Sequence, residues 1–179
     1  MTTIVLGCPA APLPSSMAVI IAAIERAGIT ARVAALDPTS TDDAAHEQRY
    51  RVALAGVQGP VILGGFSLGG RIAARLCPEL APQALLCLGY PFHVRGQPRA
   101  RHGLEALGRV RVPTLIIQGT RDPHGSEADV CGYALPDTVQ LAWLQDGNHH
   151  FVPRERSGHT HAQHLAAAGA AAIAFIQAR

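Results

Sequence analysis

Six short apolar runs, with helix-like segments between them, constrain this chain more than any other feature it has. They are Thr3–Gly7, Thr30–Leu36, Pro60–Leu63, Ala84–Gly89, Thr114–Gly119 and Val139–Leu144, each ending near a Gly, Pro or Asp. Most are nearly continuous in apolar residues rather than alternating. That pattern predicts strands buried on both faces, as in a parallel sheet. The intervening segments carry helix signals. Ser15 or Ser16 is placed to cap a helix running to Ala27. Thr41, Asp42 and Asp43 open a second helix reaching about Ala55, since oxygen-bearing and acidic side chains suit a helix N-terminus. A third follows Ser67 to about Leu76, with Pro78 expected to stop it. A short helix begins near Ser126 and Glu127, and an Ala-rich one runs from about Thr160 to Gln177. Strand and helix alternating in this way predict an α/β fold: a doubly wound, mostly parallel sheet of about six strands with helices on both faces. The least regular stretch, Tyr90 to Arg111, holds two prolines and five arginines, and is expected to turn helical around Leu104–Leu107.

A length of 179 residues suits one domain, here spanning 1–179, and no linker interrupts it. All fifteen basic residues are Arg. The lack of Lys excludes a P-loop lysine, a Schiff-base lysine and a Ser-Lys dyad. The net charge of +2 is not gathered into any strongly basic stretch, so nucleic acid is not expected as a partner. No apolar run approaches the roughly 20 residues that span a bilayer, and the start Ile4-Val5-Leu6-Gly7-Cys8 is too short for a signal peptide. A cytoplasmic protein without a membrane partner is expected. Cys8, Cys77, Cys87 and Cys131 are irregularly spaced, and Cys77 and Cys87 read as buried reduced thiols.

The chemistry is concentrated where the third apolar run meets its helix. Gly64-Gly65-Phe66-Ser67-Leu68-Gly69-Gly70 contains G-x-S-x-G between a strand and a helix. In that setting the turn holds the serine in a strained backbone and lifts its hydroxyl above the sheet. Gly two before and two after the serine relieves the crowding there. The helix N-terminus favours developing negative charge, and the N–H of Leu68 is one expected oxyanion donor. The competing reading is a glycine-rich turn with a capping serine. A serine needs a base, and in folds of this kind the order along the chain is Ser, acid, His. Asp122 follows the strand Thr114–Gly119, with an ordinary turn before Pro123 as its other reading. His149 and His150 both follow Val139–Leu144, and Asp146 is the rival acid, better suited to a turn.

These residues resemble the α/β-hydrolase superfamily. More narrowly, they are similar to a lid-poor group of small bacterial hydrolases often labelled dienelactone-hydrolase-like, related to a subunit of a eukaryotic histone-acetyltransferase complex. The matching blocks are Gly64–Arg71, Leu88–His93, Val112–Pro123 and Asp146–Phe151, so residues 60 to 155 carry most of it. The resemblance implies Ser67 as nucleophile, Asp122 as acid and His149, rather than His150, as base. It implies no cofactor. In that family the first strand usually ends in His-Gly-x-Gly, which supplies a second oxyanion N–H. Here the stretch is Gly7-Cys8-Pro9-Ala10-Ala11. Pro9 has no N–H, which leaves Cys8 or Ala10 as the second donor.

Of the eight aromatic residues, Phe66, Tyr90, Phe92 and Phe151 fall in loops at the catalytic edge and are candidates to shape an acyl pocket, with His93 beside them. Ordinary loop packing is the alternative. Tyr90 to Arg111 is too short for a helical cap, so an open site is expected. His159, His161 and His164 form H-x-H-x-x-H, read as a solvated helix start rather than a metal site. The sequence thus points to a serine esterase for a small ester, lactone or thioester. Its rivals are an inactive scaffold of the same fold, and another elbow enzyme such as a peroxidase or acyltransferase. A helix or an edge strand could pair two chains, and a homodimer is left open.

Overall fold

A computed structural model describes residues 2–9, 12–97 and 99–179. Six strands, β1 (Thr3–Pro9), β2 (Thr30–Leu36), β3 (Val61–Phe66), β4 (Ala84–Leu88), β5 (Thr114–Gly119) and β6 (Val139–Leu144), form one sheet in the order β2-β1-β3-β4-β5-β6. Every neighbouring pair is parallel. Among the described residues the α-helices are α1 (Ser15–Arg26), α2 (Asp43–Leu54), α3 (Leu68–Leu80), α4 (His102–Leu107), α5 (Glu127–Val130) and α6 (His161–Gln177).

The unbroken apolar runs are explained by a core on each face. On one side Ile4, Leu6, Ile62, Leu86, Leu88 and Ile117 pack against α1 and α6. On the other, Val5, Leu63, Leu85, Cys87 and Ile116 pack against α2, α3 and α4. Successive residues of a strand point to opposite faces, so both must be apolar. Each large side chain so buried contributes about 1.5–3 kcal/mol.

The helix starts follow local chemistry, with two departures from expectation. Asp42 caps α2, accepting from the N–H of Ala44 and Ala45 at 3.0 and 3.2 Å. Ser126 caps α5 in a capping box, as Thr160 does for α6. Pro14, however, occupies the cap position of α1. Ser15 and Ser16 lie inside the first turn. Helix α3 also continues through Pro78 to Leu80, and Ala81 in the left-handed region closes it. Pro78 removes the N–H that would reach the Ala74 carbonyl one turn earlier, a loss confined to one bond near the helix end, and the buried face of α3 on the sheet holds the last turn.

Between β4 and β5 the described chain makes only the six-residue α4, so no helical cap covers the carboxyl edge of the sheet. No helix among the described residues is long and apolar enough to cross a membrane.

Burial also sorts the thiols. Cys8, Cys77 and Cys87 are buried and Cys131 is exposed. Burial pushes the Cys8 and Cys77 thiols up to about 12. Iodoacetamide at pH 8 is therefore expected to modify Cys131 alone in the native protein and all four cysteines in denaturant, as read by peptide mass spectrometry. Native labelling of Cys8 would contradict its burial.

Candidate active site

The strand order reverses beside β1, and ligands of open α/β sheets bind outside the carboxyl ends of the strands at such a point. There β3 turns sharply into α3. Ser67, at the turn, has φ 52° and ψ −117°, a conformation that costs a non-glycine residue on the order of 1–3 kcal/mol. Its N–H donates to the Leu88 carbonyl at 2.9 Å. Gly65 and Gly69 flank it in contact with each other and with β1. A Cβ on Gly65 would stand 2.6 Å from the Gly7 carbonyl oxygen and 2.7 Å from the backbone of Gly69, and one on Gly69 would collide with that same oxygen. Tyr50 of α2, fully buried, supports the turn from below. Its hydroxyl lies 2.8 Å from the Gly64 carbonyl and 2.6 Å from that of Gly69.

Three loops converge above this turn. His149 Nε2 lies 3.0 Å from Ser67 Oγ, and His149 Nδ1 lies 2.8 Å from Asp122 Oδ2. A carboxylate only accepts, so Nδ1–H donates to Asp122 and the Nε2 lone pair faces the serine hydroxyl. Asp122 is fully buried. Its Oδ2 also accepts from Gln118 Nε2 at 3.0 Å, and its Oδ1 accepts from the His124 N–H at 2.8 Å. Gln118 is itself fully buried, and its Oε1 accepts from the Tyr90 N–H at 2.7 Å. The acid is therefore held on both oxygens.

Asp146 ties the histidine loop to the acid loop. Its N–H donates to Thr120 Oγ1 at 2.8 Å, its carbonyl accepts from Arg121 Nε at 2.9 Å, and its carboxylate pairs with Arg121 and Arg154. Hydrogen bonds from Arg154, ahead of the Coulomb pull of both arginines, hold that carboxyl at about 2. The sequence reading of Asp146 as a turn residue matches this placement, since it adopts φ 58°.

Two cavities meet at Ser67. The smaller, about 240 Å³, is bordered by Pro9, Leu36, Phe66, Leu68 and His150. The larger, about 880 Å³, runs between α2, α3 and α4 and is lined near the serine by His93, His124 and Arg71. Arg71 is held by Asp43 through two hydrogen bonds of 2.9 and 2.6 Å, so the floor of that cleft is internally neutralised. The His124 ring centre is 4.7 Å from that of His149. Burial, then the nearby His149, lowers the pKa of His124, and the same two causes lower that of His150.

The other expected site residues are distributed as follows. Leu68 opens α3, and its N–H is one of the unpaired donors of the helix start. Phe66 borders the smaller cavity, with its ring 4.9 Å from His149. Cys8 lies within β1 opposite Ala35, and its side chain is buried in the core. Ala10 lies outside the described residues. Tyr90 does not line the pocket. It is fully buried, with its hydroxyl donating to Gly103 O at 2.8 Å, and Phe92 packs edge-on against it. Phe151 is likewise fully buried. Tyr90 and Phe92 join the core on the α4 side of the sheet and Phe151 the one on the α1 and α6 side. His164 departs too: it is buried rather than solvated.

Gln118, His124 and Tyr50 were not anticipated. A lone amide ending the apolar strand Thr114–Gly119 was a signal, since a buried amide must find partners. For His124, the signal was that an Asp commonly accepts from the N–H two residues on. Among the described residues, no group of three or more His, Cys, Asp or Glu side chains is placed to hold a metal ion.

A serine on a strained strand-to-helix turn, facing a histidine and a buried acid across the carboxyl edge of a parallel sheet, defines the class of nucleophile-elbow α/β hydrolases. Residues 37–177 match the alpha/beta hydrolase domain family, and the chain belongs to it. No curated protein sequence matches the chain. Among solved structures, XCC1541, an alpha/beta-superfamily protein of Xanthomonas campestris pv. campestris, is 23% identical with a TM-score of 0.68, covering 99% of both chains. XC6422 of Xanthomonas campestris, an α/β serine hydrolase without a lid, is 22% identical with a TM-score of 0.63, over 97% of this chain and 81% of that one. A structure of the metagenome-derived lipolytic enzymes LipS and LipT is 14% identical with a TM-score of 0.72, over 99% of this chain and 94% of that one.

Proposed function

We propose that this chain is a serine hydrolase that cleaves small carboxylic esters, lactones or thioesters through an acyl-enzyme on Ser67. The observation that carries the reading is the unbroken hydrogen-bonded series from Ser67 Oγ through His149 to a fully buried Asp122. Ser67 attacks the acyl carbonyl while His149 Nε2 takes its proton, and Asp122 stabilises the imidazolium. His149 returns the proton to the leaving alkoxide or thiolate. Water then attacks the acyl-enzyme, with His149 again as base, and releases the acid and the free serine. Leu68 N–H stabilises the oxyanion. A second donor is the N–H of Cys8 or that of Ala10, the residues on either side of Pro9 in the sequence.

The two cavities fit the two halves of such a substrate. At about 240 Å³, the apolar one suits a short acyl group. The larger, which carries His93, His124 and Arg71 near the serine, suits the leaving group. Support from relatives is of name only: LipS and LipT are called lipolytic, and XC6422 a serine hydrolase. The dienelactone-hydrolase-like blocks in the sequence agree with small esters and lactones.

The alternative, a scaffold with weak or no activity, is favoured by one observation. Pro9, which has no N–H, borders the serine, and a missing oxyanion donor costs roughly a hundred- to a thousandfold. A fluorophosphonate probe decides between them. Wild type is expected to be labelled at Ser67, with no labelling of Ser67→Ala or of His149→Ala. Folded wild type that resists the probe would establish the scaffold reading instead.

A further inference from the structure

The run His159-Thr160-His161-Ala162-Gln163-His164 takes no part in the site above. Thr160 caps α6: Thr160 Oγ1 accepts from the Gln163 N–H at 3.2 Å, and Gln163 Oε1 accepts from the Thr160 N–H at 2.8 Å. That box puts His159 just before the cap and His164 one turn inside. Helices commonly pair apolar side chains at these two positions. Here both are imidazoles, with ring centres 5.4 Å apart and planes inclined by 34°.

His164 is 4% exposed. Its Nδ1 lies 2.8 Å from the Phe151 carbonyl, which only accepts, so Nδ1 carries the proton and Nε2 the lone pair. Nε2 is buried and meets no hydrogen-bond partner. Leaving a buried acceptor so is unfavourable, and the ring packed against that of His164 is the exposed one of His159. A metal-binding imidazole characteristically donates its other N–H to a backbone carbonyl, which fixes its lone pair on the ion. His164 has that arrangement. Two imidazoles bound to one ion through Zn–N bonds of about 2.0–2.1 Å, at a tetrahedral angle, hold their ring centres about 5 Å apart.

We propose that His159 and His164 form a site for one divalent transition-metal ion of the zinc, nickel or copper kind, with water completing the shell. Imidazole ligands suit these metals. The site bears on the loop that carries His149: His164 Nδ1 holds the Phe151 carbonyl, and His161 Nε2 holds the His150 carbonyl at 3.0 Å. An ion at the head of α6 braces that loop from behind.

Calorimetric titration of the chelator-treated full-length protein with zinc sulfate tests this. One ion per chain is expected in the micromolar range. His159→Ala is expected to weaken binding at least about tenfold while leaving the melting temperature of the metal-free protein unchanged, because His159 is exposed. His161→Ala is expected to keep binding. With copper(II), the ring proton signals of His159 and His164 are expected to broaden first. An ion bound instead at the active-site histidines would survive His159→Ala and be lost in His149→Ala. That pattern, or no uptake at millimolar metal, overturns the proposal.

Discussion

Replacing Asp122 by Asn is expected to lower kcat/KM for a soluble ester about ten-thousandfold while KM stays close to that of wild type. Both oxygens of the wild-type carboxylate accept hydrogen bonds, Oδ1 from the His124 N–H and Oδ2 from Gln118 and His149. An Asn must point its NH₂ at one side or the other. Facing His124, it buries a donor against a donor, at a cost of about 1–3 kcal/mol. Facing Gln118 and His149, it forces His149 into the tautomer protonated on Nε2, which cannot take the serine proton. Either way the imidazolium loses its counter-charge. The variant is expected to remain folded, since the cost corresponds to a fall in melting temperature of roughly 2–12 °C for a chain of this size. The measurement is steady-state hydrolysis of p-nitrophenyl acetate alongside calorimetry. A loss below tenfold would remove Asp122 from the role of orienting acid.

Gly69→Ala is expected to be among the most destabilising single methyl additions the protein can receive. The new carbon would collide with the carbonyl oxygen of Gly7, which is backbone in a central strand and has nowhere to go. Overpacking of a core typically costs 1–3 kcal/mol. With a rigid backbone atom as the obstacle the expected cost is at least about 3 kcal/mol, a drop in melting temperature of roughly 6–12 °C or more. Because Gly69 packs against Gly65 and supports the turn, fluorophosphonate labelling of Ser67 should fall with it. Gly108→Ala is the control. A Cβ there meets nothing closer than 3.4 Å, so little change is expected. Equal melting temperatures for the two variants would show that β1 and α3 yield more easily than their contact suggests.

Much of this arrangement was legible in the sequence, for reasons that differ by element. Thr114–Gly119 comes out with the expected bounds because a strand packed on both faces must be apolar throughout, and the two edge strands Thr30–Leu36 and Val139–Leu144 keep theirs although they are only partly buried. Ser67 was placed by its G-x-S-x-G motif, Asp122 and the histidine loop by element order, since each follows the carboxyl end of a strand, and His149 over His150 by the family resemblance. What sequence could not supply were contacts between loops far apart in the chain. The Gln118 amide meets Tyr90 and Asp122, and Asp146 meets Arg121, only once the carboxyl edge is assembled. Tyr90 was misjudged because a loop aromatic near a site looks the same in sequence whether it faces the cleft or the core. The end of α3 was misjudged because a Pro so near the helix end forfeits only the bond to the Ala74 carbonyl, and the buried face of α3 carries the helix past it.

The parallel sheet has a kinetic meaning as well. No pair of neighbouring strands can close as a hairpin, so every ladder waits for a crossover, and such non-local pairing is slow. The serine and histidine stand 82 residues apart and the histidine and acid 27 apart. Their meeting requires β3, β5 and β6 all to be in register. On the proposed mechanism, a reactive Ser67 is thus a late acquisition of the folding chain, and a partly formed sheet or a nascent polypeptide lacking β6 is expected to present an inert hydroxyl.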